Sequence, residues 1–297
     1  MTQHDFFQVD AFTTKALEGN PCAVVLDADD LDAATMQSIA REMNLSETAF
    51  VLKSKVADFG ARYFTPAEEI PLAGHPTIST VHVLVELGRV RPPRDGAVTI
   101  QLELRDGPIP VEVAAKGGAV TRITMSQRRP RFLRRYEPAE VLPAFGLSVG
   151  DALPGAPLET VSTGTPQLML PLRGREALAR ASLVTLDYVA LRERGDFFSA
   201  HLFCLEGFTQ EGRTSARHFG TPPDVFEDPF TGSATGGMAA YLWRHGLIDE
   251  PAFTAEQGHL MGRPGSGRAE VVGPREDIQT VRVGGMAVTV LRGRLLV

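Results

Sequence analysis

The chain has 297 residues, a length typical of one large or two medium domains. Of these residues 43% are hydrophobic and 22% charged, a composition typical of a globular protein that excludes a disordered chain. Its formal charge of −6 argues against nucleic-acid and membrane-surface binding, which usually require a basic footprint. Two cysteines are too few for a disulfide framework, and neither a signal peptide nor a membrane-spanning apolar run is found. We therefore expect a cytoplasmic protein with a small-molecule ligand.

Short runs rich in Val, Phe, Ile and Thr predict strands, which alternate with a few helical patterns. In chain order the predicted elements are strands at 6–12 and 22–26, a helix at 32–43, strands at 48–52 and 61–65, and hairpins between 98 and 127. The helix is predicted because apolar side chains recur three and four positions apart. Gly19-Asn20-Pro21, between the first two strands, is a typical turn sequence.

The chain contains an internal repeat centred on two glycines. Gly74 and Gly232 are each followed by threonine three positions later, by leucine ten positions later and by glycine 14 positions later. Upstream, Arg62-Tyr63-Phe64 corresponds to Arg217-His218-Phe219. The repeat predicts two similar halves, each containing a strand, a loop, a glycine and a helix. We place the boundary near Gly117-Gly118, so that the domains are 1–118 and 119–297, with the last strand a candidate to return to the first domain.

The two glycine turns predict a binding site for an anion. A glycine directly before a helix lets the backbone approach a ligand, and the free N–H groups at the helix start favour negative charge. Two such turns in similar halves could hold one small carboxylate-bearing substrate and stabilise charge developing beside its carboxylate. The turns lack the spacing of a dinucleotide fingerprint or a P-loop, and the histidines show no H-E-x-x-H pattern. The sequence therefore predicts neither a nucleotide cofactor nor a metal.

Four side chains near these turns are candidates for proton transfer or substrate binding. Glu47 lies between a helix and an apolar strand, where burial would raise the pKa of a carboxyl group to a useful value, but a capping or surface glutamate fits the same position. His75 could donate to a substrate or make a structural hydrogen bond. Asp228 could orient a substrate amine or cap its loop. Ser233 could donate to a carboxylate or act as an N-cap, and the residues alone leave these alternatives open.

A set of ordered motifs resembles the phenazine-biosynthesis isomerase-like (PhzF-like) family. The motifs are Gly19-Asn20-Pro21, Asn44-Leu45-Ser46-Glu47-Thr48, Arg62-x-Phe64-Thr65-Pro66, Gly74-His75-Pro76-Thr77, Ser162-Thr163-Gly164, Glu227-Asp228-Pro229-x-Thr231-Gly232-Ser233-Ala234 and Gln257-Gly258-x-x-Met261-Gly262-Arg263-Pro264. Each motif by itself is modest, whereas the ordered set is highly specific and covers nearly the whole chain.

The resemblance implies an α+β fold of the diaminopimelate-epimerase-like type. In that fold two pseudo-symmetric domains, each a curved mixed sheet around a central helix, enclose the active site in the cleft between them, and the protein is a homodimer. The implied reaction is a cofactor-independent isomerisation of a small cyclic carboxylate, of the trans-2,3-dihydro-3-hydroxyanthranilate type. By the same resemblance Glu47 is the acid/base, and the substrate-contacting positions are Gly74, His75, Asp228, Gly232 and Ser233.

Two alternatives stay open. Related epimerases and racemases use two cysteines at the glycine turns, and this sequence has no cysteine at either turn. An epimerase on this scaffold would therefore need carboxyl bases. The other alternative is a non-catalytic protein that binds a small molecule in the same cleft.

Overall fold

The structure is a computed structural model that describes residues 2–220 and 226–297. In these ranges the strands are β1 (Gln3–Ala11), β2 (Asn20–Val25), β3 (Thr48–Leu52), β4 (Phe59–Phe64), β5 (Glu69–Ile70), β6 (Gly96–Leu104), β7 (Gly107–Lys116), β8 (Ala119–Ser126), β9 (Arg131–Tyr136), β10 (Leu158–Ser162), β11 (Pro166–Pro171), β12 (Ser199–Cys204), β13 (Gly212–Phe219), β14 (Glu227–Asp228), β15 (Ala252–Gln257), β16 (Gly265–Val272), β17 (Thr280–Gly285) and β18 (Ala287–Leu296). The α-helices are α1 (Ala33–Met43), α2 (Gly74–Glu86), α3 (Pro138–Val141), α4 (Arg175–Arg180), α5 (Thr185–Arg194) and α6 (Gly232–Arg244).

Many strands and few helices confirm the predicted α+β class. The predicted helix corresponds to α1, where the Asp32 side chain accepts a hydrogen bond from the Thr35 N–H and caps the first turn. The predicted strand at 48–52 has the bounds of β3. Nowhere in the two described ranges is a helix both long and apolar enough to span a membrane.

The chain divides into two compact units. Unit 1 comprises Met1–Ser126 with Val283–Val297, and unit 2 comprises Gln127–Arg282. Strand β8, which follows the turn at Gly117-Gly118, lies in unit 1. The terminal strand β18 also lies in unit 1, where it pairs antiparallel with β1.

Unit 1 contains a mixed sheet packed against one buried helix. Strand β1 pairs antiparallel with β18 and β2, β2 is parallel to β3, and β3 is antiparallel to β4. Strand β4 is antiparallel to the short β5 and parallel to β6, which continues into the antiparallel β7 and β8. Helix α2 contacts β1, β2, β3, β8 and β18. Because its sequence is largely apolar or small on every side, α2 is suited to this central position.

Unit 2 repeats this connectivity. Strand β10 pairs antiparallel with β9 and β11, β11 is parallel to β12, and β12 is antiparallel to β13. Strand β13 is antiparallel to the short β14 and parallel to β15, which is antiparallel to β16. Helix α6 contacts β10, β11 and β16. The order of strand, short strand and central helix is therefore the same in both units, as the sequence repeat predicts.

An arginine–glutamate pair explains the first repeated motif. The Arg62 guanidinium donates from Nε and Nη2 to the two carboxylate oxygens of Glu69, at 2.8 and 2.7 Å. Arg217 donates in the same way to Glu227, at 2.8 and 2.7 Å. Such bidentate pairs are geometrically specific. In each unit the pair ties the short strand before the glycine turn to its neighbouring strand.

The later repeat positions are explained by the central helices themselves. The hydroxyls of Thr77 and Thr235 donate to the carbonyls of Ala73 and Thr231, at 2.8 and 3.0 Å, one turn earlier in each helix. The repeated leucines are fully buried. The last glycine of each repeat follows the helix in the left-handed region, with φ of +69° and +67°, as expected of a residue just beyond a helix end.

The turn between β1 and β2 requires glycine at position 19. Gly19 has φ +63°, and a Cβ there would lie 2.2 Å from the carbonyl oxygen of Ala11 and 2.9 Å from the Cγ2 of Thr13. A side chain at this position would therefore both strain the backbone and collide with backbone atoms. The turn places Asn20 opposite Ala11 at the start of β2.

We expect Gly19→Ala to destabilise the protein more than Gly117→Ala does. Gly117 has a similar φ of +62°, but no atom lies within 4 Å of a Cβ built there. Both variants carry the left-handed backbone cost, whereas only Gly19→Ala adds overpacking, which costs about 1–3 kcal/mol. Urea denaturation of the two variants measures this difference. Equal losses would show that the close approach at Gly19 relaxes without cost.

Candidate active site

The first group of predicted site residues lies at the start of β3 and of α2, in unit 1. Helix α1 ends at Met43, Asn44 adopts a left-handed conformation, and the chain then reaches Glu47 immediately before β3. Gly74 and His75 are the first two residues of α2. The Glu47 side chain is 17% exposed and that of His75 is 2% exposed. The two side chains meet at 3.2 Å, between Glu47 Oε2 and His75 Nε2.

Asn20 determines how His75 contacts Glu47. The amide nitrogen of the buried Asn20 lies 2.9 Å from His75 Nδ1. Because an amide nitrogen only donates, Nδ1 is the acceptor, and the proton of a neutral imidazole is on Nε2. The Nε2–H therefore faces Glu47, with 3.2 Å between Nε2 and Oε2.

The structure thus gives His75 a structural hydrogen bond to Asn20, one of the alternatives that the sequence left open, and places its other ring nitrogen next to Glu47. Sequence reasoning treated Asn20 only as part of a turn and of a family motif. The available signal was a polar side chain at the start of an otherwise apolar strand. Such a side chain, when buried, must find a partner.

The second group lies around β14 and the start of α6, in unit 2. Asp228 is 6% exposed, and the Thr231 hydroxyl donates to its carboxylate oxygen Oδ2. The Gln257 amide donates to the Asp228 carbonyl at 2.6 Å and accepts from the Thr231 N–H at 3.1 Å. Gln257 therefore holds both ends of the turn that leads from β14 to α6.

Ser233 is the second residue of α6 and does not cap that helix. The N-cap residue is Thr231, which makes no side-chain cap hydrogen bond. The Gln167 amide donates to the Ser233 hydroxyl oxygen at 3.0 Å, so the hydroxyl proton is directed elsewhere. Gly232 is held by Gln127, whose amide donates to the Gly232 carbonyl at 2.8 Å. Sequence reasoning missed these glutamines because each is distant in the chain from the turn that it holds.

Both central helices begin without a side-chain cap. Ala73 and Thr231 are the N-cap residues of α2 and α6, and neither side chain accepts a hydrogen bond from its helix. The first N–H groups of an α-helix have no partner within the helix and favour an anion. Each helix start, taken separately, therefore has the polarity that carboxylate binding requires.

Comparison with known proteins identifies close relatives along the whole chain. A family model described as phenazine biosynthesis-like protein matches residues 9–293. The trans-2,3-dihydro-3-hydroxyanthranilate isomerase of Pseudomonas fluorescens is 37% identical over 300 residues, which cover 99% of each chain. The isomerase of the same name from Pseudomonas chlororaphis is 36% identical over 299 residues, again 99% of each chain.

Solved structures confirm the predicted fold. A phenazine biosynthesis protein of the PhzF family from Bacillus anthracis has a TM-score of 0.88 at 31% identity and covers 100% of both chains. A hydroxyproline epimerase from Agrobacterium vitis has a TM-score of 0.69 at 11% identity and covers 99% of this chain and 92% of its own. The second likeness concerns the fold alone, and it confirms the epimerase-like architecture.

We expect Gln257→Leu to lower the free energy of unfolding by about 2–4 kcal/mol. The substitution leaves the Asp228 carbonyl and the Thr231 N–H without their side-chain partner, and each unpaired buried group costs roughly 1–3 kcal/mol. Gln101→Leu, on the exposed side of β6, is the control and should change stability by less than about 0.5 kcal/mol. Urea denaturation measures both. Similar values for the two variants would show that Gln257 does not hold the turn.

Proposed function

Since the chain belongs to the phenazine biosynthesis-like (PhzF-like) family, we propose that it isomerises a small cyclic carboxylate, with trans-2,3-dihydro-3-hydroxyanthranilate as the first candidate substrate. The full-length similarity to two curated isomerases of that name supports this choice. The observation that carries the proposal is the contact between His75 Nε2 and Glu47 Oε2. This contact places one partly exposed carboxylate next to a buried imidazole, a pairing suited to proton transfer.

In the proposed reaction Glu47 acts first as a base. Its carboxylate lies 3.2 Å from His75 Nε2 and accepts a proton from one carbon of the substrate. The protonated Glu47 then gives a proton to another carbon of the same conjugated system. The double bonds shift and the composition of the substrate is unchanged. The reaction therefore needs no co-reactant, and we propose that it uses no metal, flavin or nucleotide.

We propose that the other site residues bind and orient the substrate. The helix starts at Gly74 and Gly232 would stabilise the carboxylate and the negative charge that develops when the proton leaves. The Ser233 hydroxyl has its oxygen occupied by Gln167, so its proton is suited to a substrate carboxylate. The Asp228 carboxylate is suited to a substrate amine, and we assign His75 a contact with the substrate only because the resemblance to the family implies one. Binding by several fixed groups keeps the reacting carbon near Glu47.

We further propose that the protein is a cytoplasmic homodimer, as its resemblance to the family implies. Both cysteines are free and buried, which is consistent with a reducing compartment. Sedimentation equilibrium of the purified chain should give twice the mass of one chain. A monomer at all concentrations would contradict the proposal without affecting the assignment of Glu47.

We expect Glu47→Gln to lower kcat with trans-2,3-dihydro-3-hydroxyanthranilate by at least ~10²-fold, the typical contribution of general acid–base catalysis. The amide keeps the size and the acceptor oxygen of Glu47 but cannot carry the proton. Affinity for the substrate should remain within a few-fold. The measurement is the change in diene absorbance, followed by mass analysis of the product formed in D₂O. Glu42→Gln, on the exposed side of α1, is the matched control and should keep full activity.

Three results would contradict parts of this proposal. Unchanged turnover of Glu47→Gln would remove Glu47 from the mechanism. Deuterium exchange at a stereogenic α-carbon of candidate amino acids, with loss of optical activity, would favour an epimerase with carboxyl bases. Binding of cyclic carboxylates with no chemical change in any of them would favour a non-catalytic binding protein.

A further inference from the structure

The Gln127 side chain joins the sheet of unit 2 to the first turn of α6 through a buried chain of hydrogen bonds. Its Nε2 donates to the Gly232 carbonyl at 2.8 Å, and the side chain is 5% exposed. The Thr163 hydroxyl donates to Gln127 Oε1 at 2.6 Å and also lies 3.4 Å from the Ser233 carbonyl oxygen. Because a carbonyl oxygen only accepts, the amide nitrogen of Gln127 must face Gly232. The Gly232 carbonyl thus fixes the orientation of the amide.

Gln127 extends to α6 from a fixed point of the sheet. Its N–H donates to the Val281 carbonyl at 2.8 Å, and its own carbonyl accepts from the Thr280 hydroxyl at 2.6 Å. The next residue, Arg128, donates its N–H to the Thr163 carbonyl at 3.0 Å. The backbone and the end of the Gln127 side chain are therefore both held.

A glycine in the middle of α6 provides the space for this amide. A Cβ at Gly236 would lie 1.9 Å from Gln127 Oε1 and 2.4 Å from Gln127 Cδ. At the equivalent place of the repeat, four residues after the first glycine, unit 1 has the fully buried Ile78. The shared fold thus accepts a large side chain there. Since glycine inside a helix is less favourable than alanine, Gly236 is explained by Gln127 and not by the needs of the helix.

The hydrogen bond from Gln127 acts on the peptide group that joins Gly232 to Ser233. In that group the carbonyl belongs to Gly232 and the N–H to Ser233. A hydrogen bond to the carbonyl polarises the group and makes its N–H a stronger donor. The hydrogen-bonding pattern of the helix begins with the Thr235 N–H, which donates to the Thr231 carbonyl at 2.9 Å. The Ser233 N–H precedes it and is one of the helix-start donors that favour an anion.

We propose that Gln127 is a positioning residue for the carboxylate of the substrate: it holds and polarises the Gly232–Ser233 peptide group, so that the Ser233 N–H donates to that carboxylate. Thr163 orients the Gln127 amide, and Gly236 admits it. The contact between Ser233 and the substrate rests on the proposed function, whereas the hydrogen bonds of Gln127 do not. An amide with a merely structural role would support α6 without changing how strongly the helix start binds an anion.

The first experiment measures the peptide group without any substrate. Gln127→Met removes the donor but keeps a side chain of similar length. In spectra of the ¹³C- and ¹⁵N-labelled protein, the Gly232 carbonyl carbon and the Ser233 amide proton should both move upfield, because the peptide group is less polarised. Gln101→Met, on the exposed side of β6, is the matched control and should leave both resonances unchanged. Resonances that stay in place or move downfield in Gln127→Met would overturn the proposal.

The second experiment compares Gly236→Ala with Gly237→Ala, using trans-2,3-dihydro-3-hydroxyanthranilate. A Cβ at Gly237 would lie 2.6 Å from Met169 Cε, the end of a flexible side chain, so this variant leaves Gln127 in place. Gly236→Ala displaces the amide and should raise KM about two- to tenfold, because the Ser233 N–H is weakened but not removed. Gly237→Ala should leave KM unchanged. Both variants add a methyl group to the same helix, so helix propensity and overpacking affect both.

The third experiment combines two substitutions that remove the same hydrogen bond. Gln127→Met should raise KM by a factor similar to that of Gly236→Ala, and the double variant should have no larger effect than either substitution alone. All three variants should largely keep kcat, because the substrate carboxylate is charged both before and after the proton leaves. Additive effects on KM, or a loss confined to kcat, would contradict the proposed role.

The outcomes separate the two proposals. If the unsubstituted protein does not convert this compound, the substrate assignment fails while the spectra still test the action of Gln127 on the peptide group. If the protein is active and Gly236→Ala and Gly237→Ala have equal KM values, Gln127 does not position the substrate. Should Gly236→Ala not fold, the spectra and the KM of Gln127→Met decide the question, and an unchanged KM would overturn the proposal.

Discussion

The proposed chemistry depends on the contact between His75 and Glu47. The two side chains meet at 3.2 Å between Nε2 and Oε2, where the Glu47 side chain is only 17% exposed. His75 presents Nε2 to Glu47 because Asn20 occupies its other nitrogen. Asn20 in turn follows Gly19, whose left-handed backbone and close approach to Ala11 admit no side chain. A turn between two strands thus determines which nitrogen of a histidine faces the proposed acid/base.

In unit 2, glutamine side chains hold the start of the central helix and the turn before it. Its helix α6 begins with Gly232 and Ser233, which are held by the amides of Gln127 and Gln167, and the preceding turn is held by Gln257. An amide both donates and accepts, so one buried glutamine can bind two backbone or hydroxyl groups without introducing a charge. Groups held in this way need little reorganisation when a charged substrate binds, which is the condition for electrostatic stabilisation of developing charge.

The two units show which positions the architecture requires and which are available for function. Arginine–glutamate pairs, threonine hydroxyls bonded one turn back and left-handed glycines occur at the same places in both. These features maintain the strand, turn and helix that the units share. One pair of opposite residues differs between the units, because Ala49 of β3 faces Tyr63 of β4 in unit 1, whereas His201 of β12 faces His218 of β13 in unit 2. Differences of this kind indicate specialisation, since the connectivity is the same.

The sequence by itself determined the internal repeat, helix α1 and several strands before residue 127, because these follow from local periodicity and turn residues. Motif resemblance added the family, the α+β fold and the six site positions around Glu47 and Asp228, whose roles stay predictions. Only the tertiary structure decided which polar side chains meet. Asn20 and His75 are 55 residues apart, and Gln127 and Gly232 are 105 apart. Neither pairing has a local signal, because a buried polar group finds its partner only when the folded chain removes water from both.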